Sequence, residues 1–189
     1  MEQSVIIIYM SKLVKQNHSA LHEIAVEVPV EMIQTPKVQK ILKDMRTALD
    51  TYNVDGFNGV AIAAPQIGIS LRIFIVHNTS VHKKEKNLLP DLVAINPKIV
   101  KLSKRKHVVG EGCLSVGDEY GAVQRSTHAT IRAFDANGDE YERGASGLLA
   151  QIFQHEVDHL DGILFIDRAE RIWNKDDIQA KKLSEASDE

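Results

Sequence analysis

The chain has 189 residues, 43% hydrophobic and 26% charged, which fits a soluble globular protein long enough for one domain with a real core. Its 23 Lys+Arg against 26 Asp+Glu leave a net charge of −3, which argues against a general nucleic-acid binder while leaving room for a local basic patch. A single cysteine excludes an intrachain disulfide and is compatible with a reducing compartment.

The first apolar run, residues 5–10, is too short to span a bilayer and lacks the basic flank and small-residue cleavage site of a secretory signal. It reads as a short strand or packed N-terminal arm, and cytoplasm is the default address. Thr35-Pro36 looks like an N-cap with proline at the first helical position. Val38, Ile41, Leu42, Met45, Leu49 and Tyr52 follow at helical spacing and predict a helix over residues 36–52. Asp55-Gly56-Phe57-Asn58-Gly59 breaks it. Residues 71–77 read as a strand and 78–91, with His82 and several lysines, as an exposed loop. A further strand is expected over 92–100, with Pro97 forcing an edge or bend.

Residues 122–135 alternate as one long strand, Asn137-Gly138 signals a hairpin, and 139–143 return. Gly144, Ser146 and Gly147 then open a helix whose core is 148–160. The tail from Arg168 carries Ile172, Trp173, Ile178 and Leu183 among many charges, the pattern of a docked amphipathic helix that frays at its end. Strands followed by one buried helix predict an α+β class: antiparallel strands packed around a central helix.

That helix carries His155-Glu156-Val157-Asp158-His159, an H-E-x-x-H pentad. Residues four apart share a helix face, so both imidazoles can reach one metal ion, with Glu156 close enough to handle a proton of a bound water. Stepping at about 100° per residue puts Leu148, Ile152, His155 and His159 on one narrow face, and Leu149, Phe153 and Leu160 on a stripe beside it. Gln151 and Asp158 lie on the other flank. The bland reading is a pair of hydrogen-bonded core histidines. Two imidazoles also leave a catalytic site short of a ligand, and Cys113 can supply it as thiolate. A small buried hydrophobe is the equal alternative for that cysteine. His77, His82, His107 and His128 have no comparable constellation.

The chain resembles the peptide deformylase family in three segments: Gly59-Val60-Ala61-Ile62-Ala63-Ala64-Pro65-Gln66, Glu111-Gly112-Cys113-Leu114-Ser115, and Gln154-His155-Glu156-Val157-Asp158-His159-Leu160-Asp161-Gly162. The resemblance extends over roughly residues 17–168 and includes Arg72-Ile73-Phe74-Ile75, Ile95-Asn96-Pro97, Arg125 and Leu164-Phe165-Ile166-Asp167-Arg168. With the length and patterns above, the chain reads as a single domain over 1–189, with an arm at 1–16 and a polar tail of helical pattern at 169–189, and the resemblance implies that this domain is catalytic. It also implies a divalent metal on Cys113, His155 and His159, with water in the fourth position. Fe(II) is favoured in the cell, and Zn(II), Ni(II) or Co(II) suit the same donors. By the same resemblance, Glu156 is general base and acid, and Gln66 with the backbone N–H of Leu114 binds the oxyanion. The implied substrates are N-formylmethionyl peptides of nascent chains. Gly59, Leu148 and Ile152 are candidates for substrate contact; the last two could equally be ordinary core. Ribosome association is an expected partnership, with the tail as its candidate element; DNA and membrane are not expected partners.

Three positions depart from the family pattern. Ala61 stands where glycine is usual, Gln151 where an apolar residue is usual, and Gly117-Asp118-Glu119-Tyr120 follows Val116 where proline is usual. None is a candidate ligand, so an active enzyme is expected. The alternatives are a zinc peptidase using the same pentad and a non-catalytic binder of formylated peptides.

Overall fold

A computed structural model describes residues 13–54, 57–77 and 89–177. The order is α1 (Pro36–Thr51), β1 (Asn53–Val54), β2 (Phe57–Asn58), β3 (Ala61–Ala63), β4 (Ile73–Val76), β5 (Leu92–Leu102), β6 (Lys106–Gly112), β7 (Glu119–Ser126), β8 (His128–Phe134), β9 (Glu140–Ser146), α2 (Gly147–Leu160), α3 (Phe165–Arg168) and β10 (Arg171–Asn174). Short 3-10 turns precede α1 and follow β3.

Five strands form one sheet in the order β3-β4-β5-β8-β9, and three form another in the order β10-β7-β6. All their pairings are antiparallel. Alternation along the larger sheet explains its two covers. Ile62, Ile73, Ile75 and Ile95 pack with Val38, Leu42, Met45 and Leu49 of α1. Phe74, Ala94 and Ile131 pack with Ala150, Phe153 and Leu160 of α2. Each large side chain so buried stabilises the fold by roughly 1.5–3 kcal/mol. The α+β expectation holds, with the motif helix buried between sheets; only its first two residues, Gly147 and Leu148, are exposed.

The sequence reading of α1 is one residue long, and Thr35 does not cap it through its side chain. Its hydroxyl donates instead to the Met32 carbonyl at 2.6 Å. Pro97 sits where the β5–β8 register shifts between Ile95 and Lys98. Asn96 there adopts φ 53°. Its side chain acts as a strand partner: the Val28 N–H donates to Oδ1 at 2.7 Å and Nδ2 donates to the Val28 carbonyl at 2.7 Å.

Three expectations need correction. Residues 122–135 are not one strand: the chain breaks at Thr127 and passes from one sheet to the other, β7 to β8. Gln154 braces that corner, accepting from the Ser126 N–H at 2.9 Å and donating to its carbonyl at 3.0 Å. Gly144 belongs to β9 rather than to the helix start, because pairing with Thr130 on β8 carries the strand onward to Ser146, which pairs with His128 and is at the same time the N-cap of α2, with Gly147 its first residue. In the tail, Ile172 and Trp173 belong to β10, paired with Gly121 and Tyr120 of β7, not to an amphipathic helix. The 5–10 segment, most of the 78–91 loop and the tail beyond 177 lie outside the described residues.

Helix α2 stops at Gly162, whose φ is +73° and whose added Cβ would lie 2.9 Å from the His22 backbone. Both constraints demand glycine. Among the described residues, strand β6 has a partner on one side only, β7. Its last residues lead into the loop that carries Cys113.

Candidate active site

Helix α2 and the loop after β6 bring three ligand-type atoms together. The donor atoms of Cys113, His155 and His159 all lie within 4.8 Å of one another. Cys113 Sγ is 3.2 Å from His159 Nε2. The two imidazoles meet edge to face, with centroids 4.8 Å apart. The Cys113 turn is closed by the Val116 N–H donating to the Cys113 carbonyl at 3.1 Å, and Gly117 follows at φ +84°.

Burial pushes the Cys113 thiol up, but the His159 charge and hydrogen bonds from both imidazoles outweigh it and bring the pKa down to about 5. A thiolate and two imidazoles form a donor set suited to a divalent transition ion. Beside them, Glu156 Oε2 and His159 Nδ1 are buried with no hydrogen-bond partner among the described residues. Orphaned buried polar atoms are costly unless something binds them. The three converging donors, with the unpartnered Glu156 oxygen beside them, fit a metal ion; His159 faces Cys113 through Nε2, so its unpartnered Nδ1 is no part of that fit.

Glu156 is 4% exposed. Burial raises its pKa to about 7, aided by the Cys113 and Glu111 charges and opposed by the two histidines. Gln66, in the 3-10 turn after β3, accepts from the Ala63 N–H at 2.8 Å. That bond fixes the amide so that Nε2 donates to Cys113 Sγ at 3.4 Å. Leu114, Gly59, Ala61, Leu148 and Ile152 line the same cleft, with Tyr52 and Tyr120 at its rim.

A buried charge network stands behind the ligands. His155 Nδ1 donates to Glu111 Oε2 at 2.9 Å. Arg125 grips Glu111 through Nε at 2.8 Å and Nη2 at 2.9 Å, and Nη1 donates to Asp158 at 2.6 Å. Arg168 adds a bond to Asp158 at 2.8 Å. Burial pushes the Glu111 carboxyl up, but hydrogen bonds from Arg125 and His155 outweigh it and hold the pKa at about 2. In the sequence Glu111 stands in a motif, Arg125 outside the motifs and Asp158 on a flank of the histidine face, with nothing to join them. Their coupling spans separations of 14 and 33 residues, which no local pattern reports.

The three departures have local explanations. Among the described residues only Asn96 is a non-glycine with positive φ, so Ala61 needs no glycine backbone; its methyl simply lines the cleft. Gln151 Nε2 donates to the Gly110 carbonyl at 3.0 Å, tying α2 to β6. Gly117 turns the chain toward Tyr120, which is on β7. The histidines without a constellation in the sequence stay apart: His77 lies between Asp91 at 2.8 Å and Asp50 at 3.3 Å, and His107 and His128 are exposed. His82 lies outside the described residues.

Comparison with known proteins agrees with this geometry. A model of the polypeptide deformylase family matches residues 10–175. A peptide deformylase of Thermomicrobium roseum is 49% identical over 113 residues, 59% of this chain and 63% of that protein, just under two thirds of its length. One of Desulforudis audaxviator is 40% identical over 141 residues, 75% of this chain and 83% of that protein. Among solved structures, the Met-Ala-Ser-bound class I type b peptide deformylase of Acinetobacter baumannii superposes with a TM-score of 0.73 at 33% identity, covering 82% of this chain and 96% of that one. A thiolate-and-imidazole site on an H-E-x-x-H helix, together with a match across most of the sequence, places this chain in the polypeptide deformylase family.

Proposed function

We propose that this chain removes the N-formyl group from the N-terminal formylmethionine of newly synthesised proteins, releasing formate and a free amine. The observation that carries the reading is the convergence of Cys113, His155 and His159 beside a buried Glu156 oxygen with no partner. The Met-Ala-Ser held by the Acinetobacter baumannii relative is the peptide that deformylation of formyl-Met-Ala-Ser would leave.

In this reading Cys113, His155 and His159 hold one divalent ion. When bound, such an ion supplies Lewis acidity and lowers the pKa of a water toward neutral. Glu156, with a pKa near its working range at about 7, takes the proton of the attacking water and delivers it to the departing amine nitrogen. Negative charge gathers on the formyl oxygen as the tetrahedral state forms. The Gln66 amide and the Leu114 backbone N–H stabilise it, and losing one such donor costs about 3 kcal/mol in comparable sites. Gly59, Leu148 and Ile152 form the wall for the methionine side chain. The chain works as one catalytic domain in the cytoplasm, where newly made chains and ribosomes are met.

The test is formate release from formyl-Met-Ala-Ser. Glu156→Ala should lower kcat/KM by about 10²–10⁴-fold. Binding of the formyl peptide without turnover by the parent would instead favour a non-catalytic binder. Among candidate ions Fe(II) is our choice on family membership, since a thiolate with two imidazoles suits Zn(II), Ni(II) or Co(II) as well. Activity should then be higher after anaerobic purification, with iron in the protein by metal analysis. Equal activity after handling in air counts against iron.

A further inference from the structure

The turn joining β5 to β6 projects four cations, Lys101, Lys104, Arg105 and Lys106, and all are exposed. None of them takes part in an ion pair among the described residues. Residues 99–110 contain no Asp or Glu, and neither do 121–134 or 143–155, the parts of β7, β8, β9 and α2 on the turn's side; the acids of those elements, Glu119, Glu140, Glu142, Glu156 and Asp158, lie toward their other ends. In a chain of net charge −3, this is a segregation of charge rather than an average surface.

The cations sit on a rigid base. The Ser103 N–H donates to the His128 carbonyl at 3.0 Å, and the Thr127 N–H donates to the Arg105 carbonyl at 3.0 Å. Ser126 Oγ donates to the Ser103 carbonyl at 3.0 Å and Ser103 Oγ to the Arg105 carbonyl at 2.8 Å. The turn is thus tied to the corner where β7 passes into β8. Beside it lies a concavity lined by Lys101, Ser103, His128, Thr130, Gly144 and Ser146, with no acid in its wall. Hydroxyls, an imidazole, a lysine and a glycine backbone are groups that receive phosphate oxygens.

We propose that this tip is a docking surface for the phosphate backbone of a structured RNA. Preorganised cations over an acid-free concavity fit a polyanion of regular charge spacing. Residues 99–110 hold no Phe, Tyr or Trp to stack on bases, so recognition is by backbone and independent of sequence. Val100, Leu102 and Val108 are exposed nearby, but the aromatic anchors of a membrane-surface element are missing from the same stretch. Strand β6 runs about 20 Å from Lys106 to Gly112, so RNA held at the tip leaves the cleft open. The placement is independent of the reaction proposed above.

The test is anisotropy of a fluorescein-labelled RNA hairpin titrated with the full chain at rising salt. About four phosphate contacts predict an affinity loss of about 150-fold between 50 and 200 mM salt. The triple variant K104Q/R105Q/K106Q, left with about one contact, should lose only about fourfold over the same range. Its kcat/KM on formyl-Met-Ala-Ser should stay within about twofold of the parent, which also reports an intact fold. Absence of hairpin binding by the parent, equal salt slopes for parent and variant, or a preference for phosphatidylglycerol vesicles over the hairpin would each overturn the proposal.

Discussion

At the scale of single residues, the ligand set was legible because helical periodicity alone puts His155 and His159 on one face. Cys113 was not fixed by any such rule; only the fold brings its sulfur to 3.2 Å from His159. Glu111 shows what lay beyond the sequence. It orients His155 through Nδ1, the arrangement by which a carboxylate tunes a metal-bound imidazole. Arg125 in turn holds Glu111 in place by a two-pronged grip inside the protein. Glu111→Gln keeps the shape but removes the charge. We expect metal affinity to fall about 10–100-fold, measured by competition with a chromogenic chelator. Unchanged affinity would reduce Glu111 to a partner of Arg125 alone.

Elements were legible where one pattern ran from end to end. The apolar stripe of α1 and the pentad helix α2 are examples. The pattern failed where alternation continued through a change of sheet. Val123 and Ile131 are both inward residues, yet they serve different cores. Period-two alternation cannot register the bend at Thr127 between them. Ile172 and Trp173 misled for a related reason: apolar residues among charges suit a helix, and pairing with β7 decides otherwise. That pairing depends on close packing around Gly121, where an added Cβ would sit 2.8 Å from Ala169 and 3.0 Å from the Phe165 ring. Gly121→Ala should therefore destabilise by about 1–3 kcal/mol, read as a lowered midpoint in urea. A neutral effect would mean that α3 and β10 shift freely.

For the whole molecule, the larger sheet is the frame on which α1 and α2 are hung, and Tyr141 ties its edge to its middle. From β9 the hydroxyl reaches past β8 to donate to the Val93 carbonyl on β5 at 2.7 Å. Burial pushes the Tyr141 phenol well above its usual value, against the opposing Arg143 charge. The neutral form is the one the fold favours. This contribution is complete below about pH 10, the unfolded phenol's range, and is lost as pH climbs through the higher folded value. Tyr141→Phe should cost about 1 kcal/mol near neutrality and flatten the alkaline fall in stability, seen in melting curves across pH. An unaltered alkaline limb would remove Tyr141 as its source. The side of β6 left unpaired among the described residues has a different reach. Its backbone from Glu111 to Gly112 borders the cleft, while Gln151 already occupies the Gly110 carbonyl. A visiting chain laid there in extended form would be gripped by the amides every protein shares, not by its particular side chains. In that geometry only the guest's first residue would meet a side-chain pocket, and whatever follows it would be held alike.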